Sequence, residues 1–398
     1  MEEVSAAPRE TATAGDLLEL VRRGGATTRA DLRRVTGMSR TALVARLSQL
    51  TDAGLLIAGA ELASTGGRPP GSLVFNASAG VILAAAIGRS RSQVGVFDLV
   101  GTLLATSSVD HEVGAGPDDV MPGVATQLRG LLRGKPPVLG VGISLPGTVD
   151  PVHGQSVDTP VMAGWDGVAL APYLSKVAAG PLLLANDADT LARSEFLGHA
   201  ATYDDLLVVK ASTGLGLGIL AGGRIIEGSR GGAGDIGHTK VDAAAGRVCR
   251  CGDVGCLETI AGGWALVAAL GEERDDVHHV RELVALANNG DAAAKQLLRE
   301  SGRQLGEVLA VAVNLLNPQA VVLGGDMPAA FDVYAAGVRE TLYARSTALA
   351  TRELQVLPST FGDRAGLVGC AAMALDRVLS PAAVDARLAA GVRTAARS

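Results

Sequence analysis

Short apolar runs that stop at a glycine or a polar pair recur along most of this chain. They constrain its fold more than any other feature. Val81-Ile82-Leu83-Ala84-Ala85-Ala86-Ile87-Gly88, Val138 to Ile143, Leu182-Leu183-Leu184-Ala185-Asn186-Asp187, Leu206-Leu207-Val208-Val209-Lys210 and Ala320-Val321-Val322-Leu323-Gly324 have strand length and no polar face. Such runs read as strands buried inside an α/β protein. Composition agrees: aromatics are only 3%, while glycine reaches 52 residues, enough for a tight turn at every strand end. A chain of 398 residues is expected to divide into two or three domains. The apolar stretch 308–324 is broken by Asn314, Asn317 and Pro318, so no membrane span is expected. The start Met1-Glu2-Glu3-Val4-Ser5 is acidic and lacks the apolar segment of an export signal. A cytoplasmic chain is therefore expected, with its cysteines serving as metal ligands or core residues rather than disulfides.

The first 75 residues follow another pattern. Asp16 to Arg23 carries apolar residues at helical spacing and stops at Gly24-Gly25. Thr28, three residues before Asp31, opens a second helix with a capping-box pattern, ended at Gly37. Ser39 can cap a third through Leu43, Leu47 and Leu50, closed at Gly54. Leu55-Leu56-Ile57 and Leu73-Val74-Phe75 then flank Gly66-Gly67-Arg68-Pro69-Pro70, as strands flank a hairpin tip. Three helices and a hairpin in this order predict a winged helix-turn-helix. From Val21 to Leu50 the local charge is +6, inside a protein whose net charge is −6. That reversal is the footprint of a phosphate-binding face. Ser39, Arg40, Thr41 and Arg46 are the candidates for the major groove, and Arg68 for the minor groove. A solvated helical bundle used for protein contacts is the alternative reading.

The most specific chemistry lies between Gly234 and Glu258. His238 is followed by Cys249-Arg250-Cys251 and Cys256, one imidazole and three thiols. That is the donor set of a closed, structural tetrahedral zinc site. Free buried thiols or a redox pair are the alternative. Cys370 reads as a small core residue. Ser212-Thr213-Gly214-Leu215-Gly216-Leu217-Gly218 is a glycine loop of the kind that approaches phosphates, a weak signal by itself.

Several motifs in order carry a family resemblance: Gly142-Ile143-Ser144-Leu145-Pro146-Gly147, Asn186-Asp187, Gly234-Asp235-Ile236-Gly237-His238, the run Cys249 to Glu258, and Asn314-Leu315-Leu316-Asn317-Pro318 leading to Gly324-Gly325. From about Gly80 to Leu375 the chain resembles the ROK family (repressors, open reading frames and sugar kinases). The winged helix ending in Gly67-Arg68-Pro69 resembles its regulator branch. The resemblance implies a two-lobed α/β actin-like ATPase fold with a sugar held between the lobes. It places Asn186, Asp187, Asp235, His238 and Glu258 around the sugar hydroxyls, and makes His238 a zinc ligand as well. In a kinase, the residue at Asp187 would take the proton from the attacking hydroxyl.

The chain departs from the kinase pattern Asp-x-Gly-Gly-Thr. Ala86-Ile87-Gly88-Arg89-Ser90 has Ala86 for the acid and Arg89 for a glycine. Both changes oppose phosphoryl transfer, so ATP is not an expected cofactor and Zn2+ is. Asp235 is one methylene shorter than the family's glutamate, and Val161 stands where kinases usually carry asparagine. The expected domains are residues 1–76, a winged helix-turn-helix with wing and linker; 77–200, a first lobe joined by a C-terminal helix at about 376–398; and 201–375, a second lobe with the zinc loop. The expected function is a sugar-responsive transcriptional regulator, by default a repressor, of carbohydrate-metabolism genes. It would act as a homodimer or homotetramer on double-stranded operator DNA, with a small sugar or sugar phosphate as effector. An active ATP-dependent sugar kinase with an appended DNA-binding domain is the alternative. Asp187 and the glycine loop support that alternative, while Ala86 and Arg89 oppose it.

Overall fold

The computed structural model describes residues 12–61, 71–112, 114–150, 153–157, 162, 164–271, 274 and 276–395. The head begins with α1 (Ala14–Arg22), started by Thr13 and Asp16 in a reciprocal capping box. α2 (Arg29–Thr36) repeats the device with Thr28 and Asp31, and it ends at Gly37 with φ 69°. α3 (Arg40–Asp52) is capped by the Ser39 hydroxyl, which accepts from the Ala42 amide. The Thr28 and Ser39 caps and the Gly37 stop are the ones the spacing predicts, whereas α1 starts two residues before the expected Asp16 because Thr13 caps it. Leu17, Leu18, Leu32, Leu43, Leu47 and Leu50 form the core of the head. The hairpin of β1 (Leu56–Glu61) and β2 (Gly71–Phe75) pairs Leu56 with Phe75. Its tip, which includes Gly66, Gly67, Arg68, Pro69 and Pro70, lies outside the described residues.

Two five-stranded sheets make up the body. The first half contains β3 (Val81–Ile87), β4 (Arg91–Phe97), β5 (Leu103–Asp110), α4 (Pro117–Leu131) and β6 (Val138–Leu145). It continues with β7 (Val149–Asp150), β8 (Gln155–Ser156), α5 (Ala171–Leu174), β9 (Leu182–Asn186) and α6 (Asp187–Ser194). Its sheet has the order β5-β4-β3-β6-β9. The second half contains β10 (Leu206–Ala211), β11 (Leu215–Ala221), β12 (Arg224–Ile225), α7 (Glu258–Ala261), α8 (Gly263–Gly271), α9 (Val280–Asn288) and α10 (Ala292–Leu316). It ends with β13 (Ala320–Gly324), α11 (Phe331–Arg345), α12 (Ala348–Thr351) and β14 (Gln355–Pro358), and its sheet has the order β12-β11-β10-β13-β14. In both sheets three strands form an antiparallel meander, a fourth pairs in parallel with the first strand, and a fifth pairs in parallel with the fourth. The same topology therefore occurs twice, although no tandem repeat is visible in the sequence.

The chain returns to the first sheet at Ala365, earlier than the expected helix at about 376. α13 (Ala365–Val378) lies across β3 and β6, and the Cys370 thiol donates to the Ala85 carbonyl at 3.4 Å. Cys370 is thus a core residue, as its neighbours in the sequence suggest. Beyond the expected packing on the first lobe, α14 (Pro381–Ala395) docks on α1 of the head. The Gly15 amide donates to Asp385 Oδ1 at 2.9 Å. A Cβ on Gly15 would stand 2.2 Å from the Pro381 carbonyl oxygen, so a side chain there would push the two helices apart. One apolar cluster consequently runs from Leu17 and Leu47 of the head through Leu375, Val378 and Val384 to Ile82 and Phe97 of the first sheet. Head and first lobe share a core. No single helix among the described residues is long and apolar enough to cross a membrane.

Candidate ligand cleft and metal centre

The carboxyl ends of strands from both sheets border one cleft of about 1050 Å³. Ligands bind at this place in open α/β sheets, because loops there are free to carry side chains while the strands hold them rigidly. All five residues that the resemblance assigns to the sugar, Asn186, Asp187, Asp235, His238 and Glu258, line it. Their side chains are not equally free. Asn186 is the N-cap of α6: its carbonyl oxygen accepts from the Ala188 and Asp189 amides, and its nitrogen donates to the Gly147 carbonyl at 2.7 Å. It ties β9, α6 and the turn after β6 together. Glu258 is buried, and its oxygens accept from the Leu215 amide at 3.0 Å and from the Trp264 indole at 2.9 Å. It anchors the glycine loop against α8. Asp235 is exposed at the cleft wall. Gly234 before it holds φ 82°, and a Cβ there would meet the Leu217 carbonyl at 1.7 Å, so only glycine fits.

Asp187 has a partner that sequence reasoning missed. Lys210 Nζ, at the end of β10, lies 2.8 Å from Asp187 Oδ2 across the cleft, and both side chains are three-quarters buried or more. Burial opposes the charge on Lys210, but Asp187, Asp326 and Glu258 around it raise its amine above the ordinary lysine value. The available signal was the single cation at the end of an otherwise apolar run. Ala86 lines the cleft at the end of β3, with Arg89 and Arg91 just beyond it. Val161 and its neighbours Thr159, Pro160 and Ala163 lie outside the described residues.

His238, Cys249, Cys251 and Cys256 converge, with one ligand atom from each lying within 4.8 Å of the others. Cys249 Sγ is 3.7 Å from His238 Nδ1, and Cys251 Sγ is 3.7 Å from Cys256 Sγ. A tetrahedron with metal–sulfur bonds of about 2.3 Å has edges of about 3.8 Å, so these spacings fit a bound ion. Burial, with Cys251 and Cys256 close by, pushes the Cys249 thiol up to about 12. A divalent cation would reverse this by coordinating the thiolates. Lys240 donates to Cys256 Sγ at 3.0 Å and pairs with Asp253 at 2.8 Å, clamping the loop from outside. The donor set can hold a metal. His238 belongs both to this cluster and to the cleft wall, so the cluster braces the loop carrying Asp235.

On the head, Ser39, Arg40 and Thr41 are exposed at the start of α3, and Val44, Ala45 and Ser48 extend the same exposed face. These last three were not among the sequence candidates, although their helical spacing from Arg40 and Thr41 was the available signal. Arg46 departs from expectation: its guanidinium donates to the Ala12 carbonyl and holds the start of α1. It points away from the face that would read DNA. Arg22 is also turned inward, where burial and the neighbouring Arg23 lower its pKa against the opposing pull of Glu19 and Asp376. Arg23, Arg29, Arg33, Arg34 and Arg40 remain exposed. Arg68 lies outside the described residues.

The sequence profile described as the ROK family matches residues 82–377. The chain belongs to the ROK family. Its profile begins after the head. The xylose repressor of Bacillus subtilis (strain 168) is 26% identical over 371 residues, covering 91% of this chain and 94% of its own. A solved ROK family transcriptional regulator, a homologue of the Escherichia coli MLC protein, superimposes with a TM-score of 0.77 at 24% identity. It covers 94% of this chain and 98% of its own, which establishes the fold from head to α14. The ROK glucokinase of Streptomyces griseus, solved with glucose and AMPPNP, reaches a TM-score of 0.64 at 28% identity. It covers 99% of its own chain but only 74% of this one. The two-lobed ROK body is shared by repressors and kinases, and repressors match nearly the whole chain.

Proposed function

We propose that this protein is a sugar-responsive, DNA-binding transcriptional regulator, acting as a repressor of carbohydrate-metabolism genes, with its effector bound in the ROK cleft. The observation that carries this reading is the head itself: an exposed α3 face led by Ser39, Arg40 and Thr41, packed through α14 onto the lobe that borders the cleft. Asn186, Asp187, Asp235, His238 and Glu258 are proposed to surround the sugar. Asn186 and Glu258 act mainly by positioning loops, and Asp187 and Asp235 present carboxylates to hydroxyls. A structural Zn2+ held by His238, Cys249, Cys251 and Cys256 would keep the Asp235 loop in place. A homodimer or homotetramer would set two heads on neighbouring half-sites in the cytoplasm. The ligand controls DNA binding only if it binds the two head arrangements with different affinity. Closure of the cleft can supply that difference, because β3, α13, α14 and α1 form one packed unit.

An active sugar kinase is the second reading, supported by Asp187 and by the glycine loop on the cleft wall. Ala86, Arg89 and the Asp187–Lys210 pair oppose it. The deciding experiment is selection of genomic DNA fragments by the full-length protein, with and without sugars and sugar phosphates. Enrichment of a palindromic site that one sugar abolishes supports the regulator. No enrichment above a salt-sensitive background, together with ADP release in the presence of a sugar, would sink it in favour of the kinase.

A further inference from the structure

We propose that Val44, with Ala45 and the methyl of Thr41, reads thymine methyl groups in the major groove, so that the operator carries thymine where α3 meets the base edges. This rests on the reading of the head as DNA-binding and adds the base that it selects. Thr41, Val44, Ala45 and Ser48 are spaced three and four residues apart, so they share one face of α3. All four are exposed, Val44 at 43%. The opposite face, Leu43, Leu47 and Leu50, is sunk in the core of the head. Arg46 is the single cation between residues 41 and 52, and its guanidinium is engaged at the Ala12 carbonyl. The exposed face of α3 beyond Arg40 therefore carries no positive charge.

The cations lie around this face instead. Arg29, Arg33 and Arg34 are exposed on α2, and Arg40 is exposed at the start of α3. Asp31 pairs with Arg34 at 3.4 Å, which leaves the rim net positive. A positive rim fits phosphates, which position a protein without reading sequence. The centre must then do the reading, and its chemistry limits what it can read. Guanine is recognised by a bidentate arginine or lysine and cytosine by a carboxylate, and the centre holds neither. Asp52, the acid on α3, closes the last turn, whereas a recognition helix meets base edges with its N-terminal residues. Gln49, whose amide suits adenine, lies in that later part too. The thymine C5-methyl is the apolar group on the major-groove edge, and valine and alanine methyls match it. Small side chains also let the helix axis come close to the groove floor. A contact between methyls removes apolar surface from water on both sides, which a hydroxyl or an amide at position 44 would not do.

The test takes the palindromic site selected from genomic DNA and replaces its thymines one at a time by deoxyuridine, which lacks only the methyl. Binding of the full chain is read by fluorescence anisotropy. For wild type, at least one replacement in each half-site is expected to weaken binding about fourfold, the loss of one buried methyl. Val44→Ala is expected to bind the thymine site about fourfold more weakly and to lose discrimination against deoxyuridine there, with Val44→Thr in between. Thermal melts confirm that each variant folds, since Val44 stands outside the core of the head. Wild type indifferent to every replacement, or Val44→Ala that keeps full discrimination, would overturn the inference while the regulator reading stands. Val44→Ala that changes only the sedimentation of the free protein assigns the face to a second copy and overturns it as well. If no site is enriched from genomic DNA, the regulator reading fails and this inference with it.

Discussion

Lys210 Nζ sits 2.8 Å from Asp187 Oδ2 and thereby occupies the carboxylate that a kinase of this fold would use as its base. An oxygen that accepts from a lysine is poorly placed to accept a proton from a sugar hydroxyl. Ala86→Asp alone is therefore expected to leave ADP release at background with any sugar. Release above background in that single variant would show that Lys210 is no obstacle.

Asp189, in the first turn of α6, is only 6% exposed, and its carboxyl is pushed up to about 7. Burial is the main cause; Arg193 counteracts it, while Glu227 and Asp187 add to it. The folded state then holds a proton that the unfolded chain releases near pH 4. Stability contributed by this group is full below about pH 4 and declines as the pH rises towards 7. Asp189→Asn mimics the protonated form. It is expected to stabilise the protein at pH 8, by up to about 4 kcal/mol, and to change little at pH 4. Chemical unfolding at the two pH values measures this, and equal effects at both would refute the assignment.

Arg40 and Arg46 are six residues apart on α3 and are expected to fail differently. Arg40→Ala should weaken operator binding by about 1–3 kcal/mol and flatten its salt dependence, without lowering the melting temperature. Arg46→Ala strips the Ala12 carbonyl of its charged donor, so it should cost stability of about 1–3 kcal/mol. Fluorescence anisotropy over a salt series, paired with thermal melts, separates the two.

Cys251→Ser is expected to remove zinc, read as metal content per chain by elemental analysis, and to lower the melting temperature. The loss should reach the cleft, because His238 is shared and Glu258 begins α7 two residues after Cys256. Sugar affinity should fall with the metal. A variant that loses zinc but keeps wild-type sugar affinity would show that the metal loop does not support the site.

The features legible in the sequence are those made by near neighbours. Thr28 caps α2 through Asp31, and Ser39 caps α3 through Ala42, each over three residues. Strand runs such as Leu206 to Val209 announce their own burial, because an uninterrupted apolar segment has no polar face to leave outside. The donor set that could hold a metal was legible as well: three thiols and an imidazole fall within 19 residues, and the structure brings them together.

Tertiary structure decided everything that depends on partners far apart in the chain. Asp385 meets Gly15 across 370 residues, which turned α14 from an appendage of the first lobe into a brace for the head. Arg46 reaches back 34 residues to Ala12 and leaves the DNA-facing set, although its charge alone placed it there. Lys210 and Asp187 pair only because two lobes of like topology face each other. Sequence shows which groups carry charge and which segments bury themselves. Which charges meet is set by how the sheets and helices pack, since burial and Coulombic attraction act through space and not along the chain.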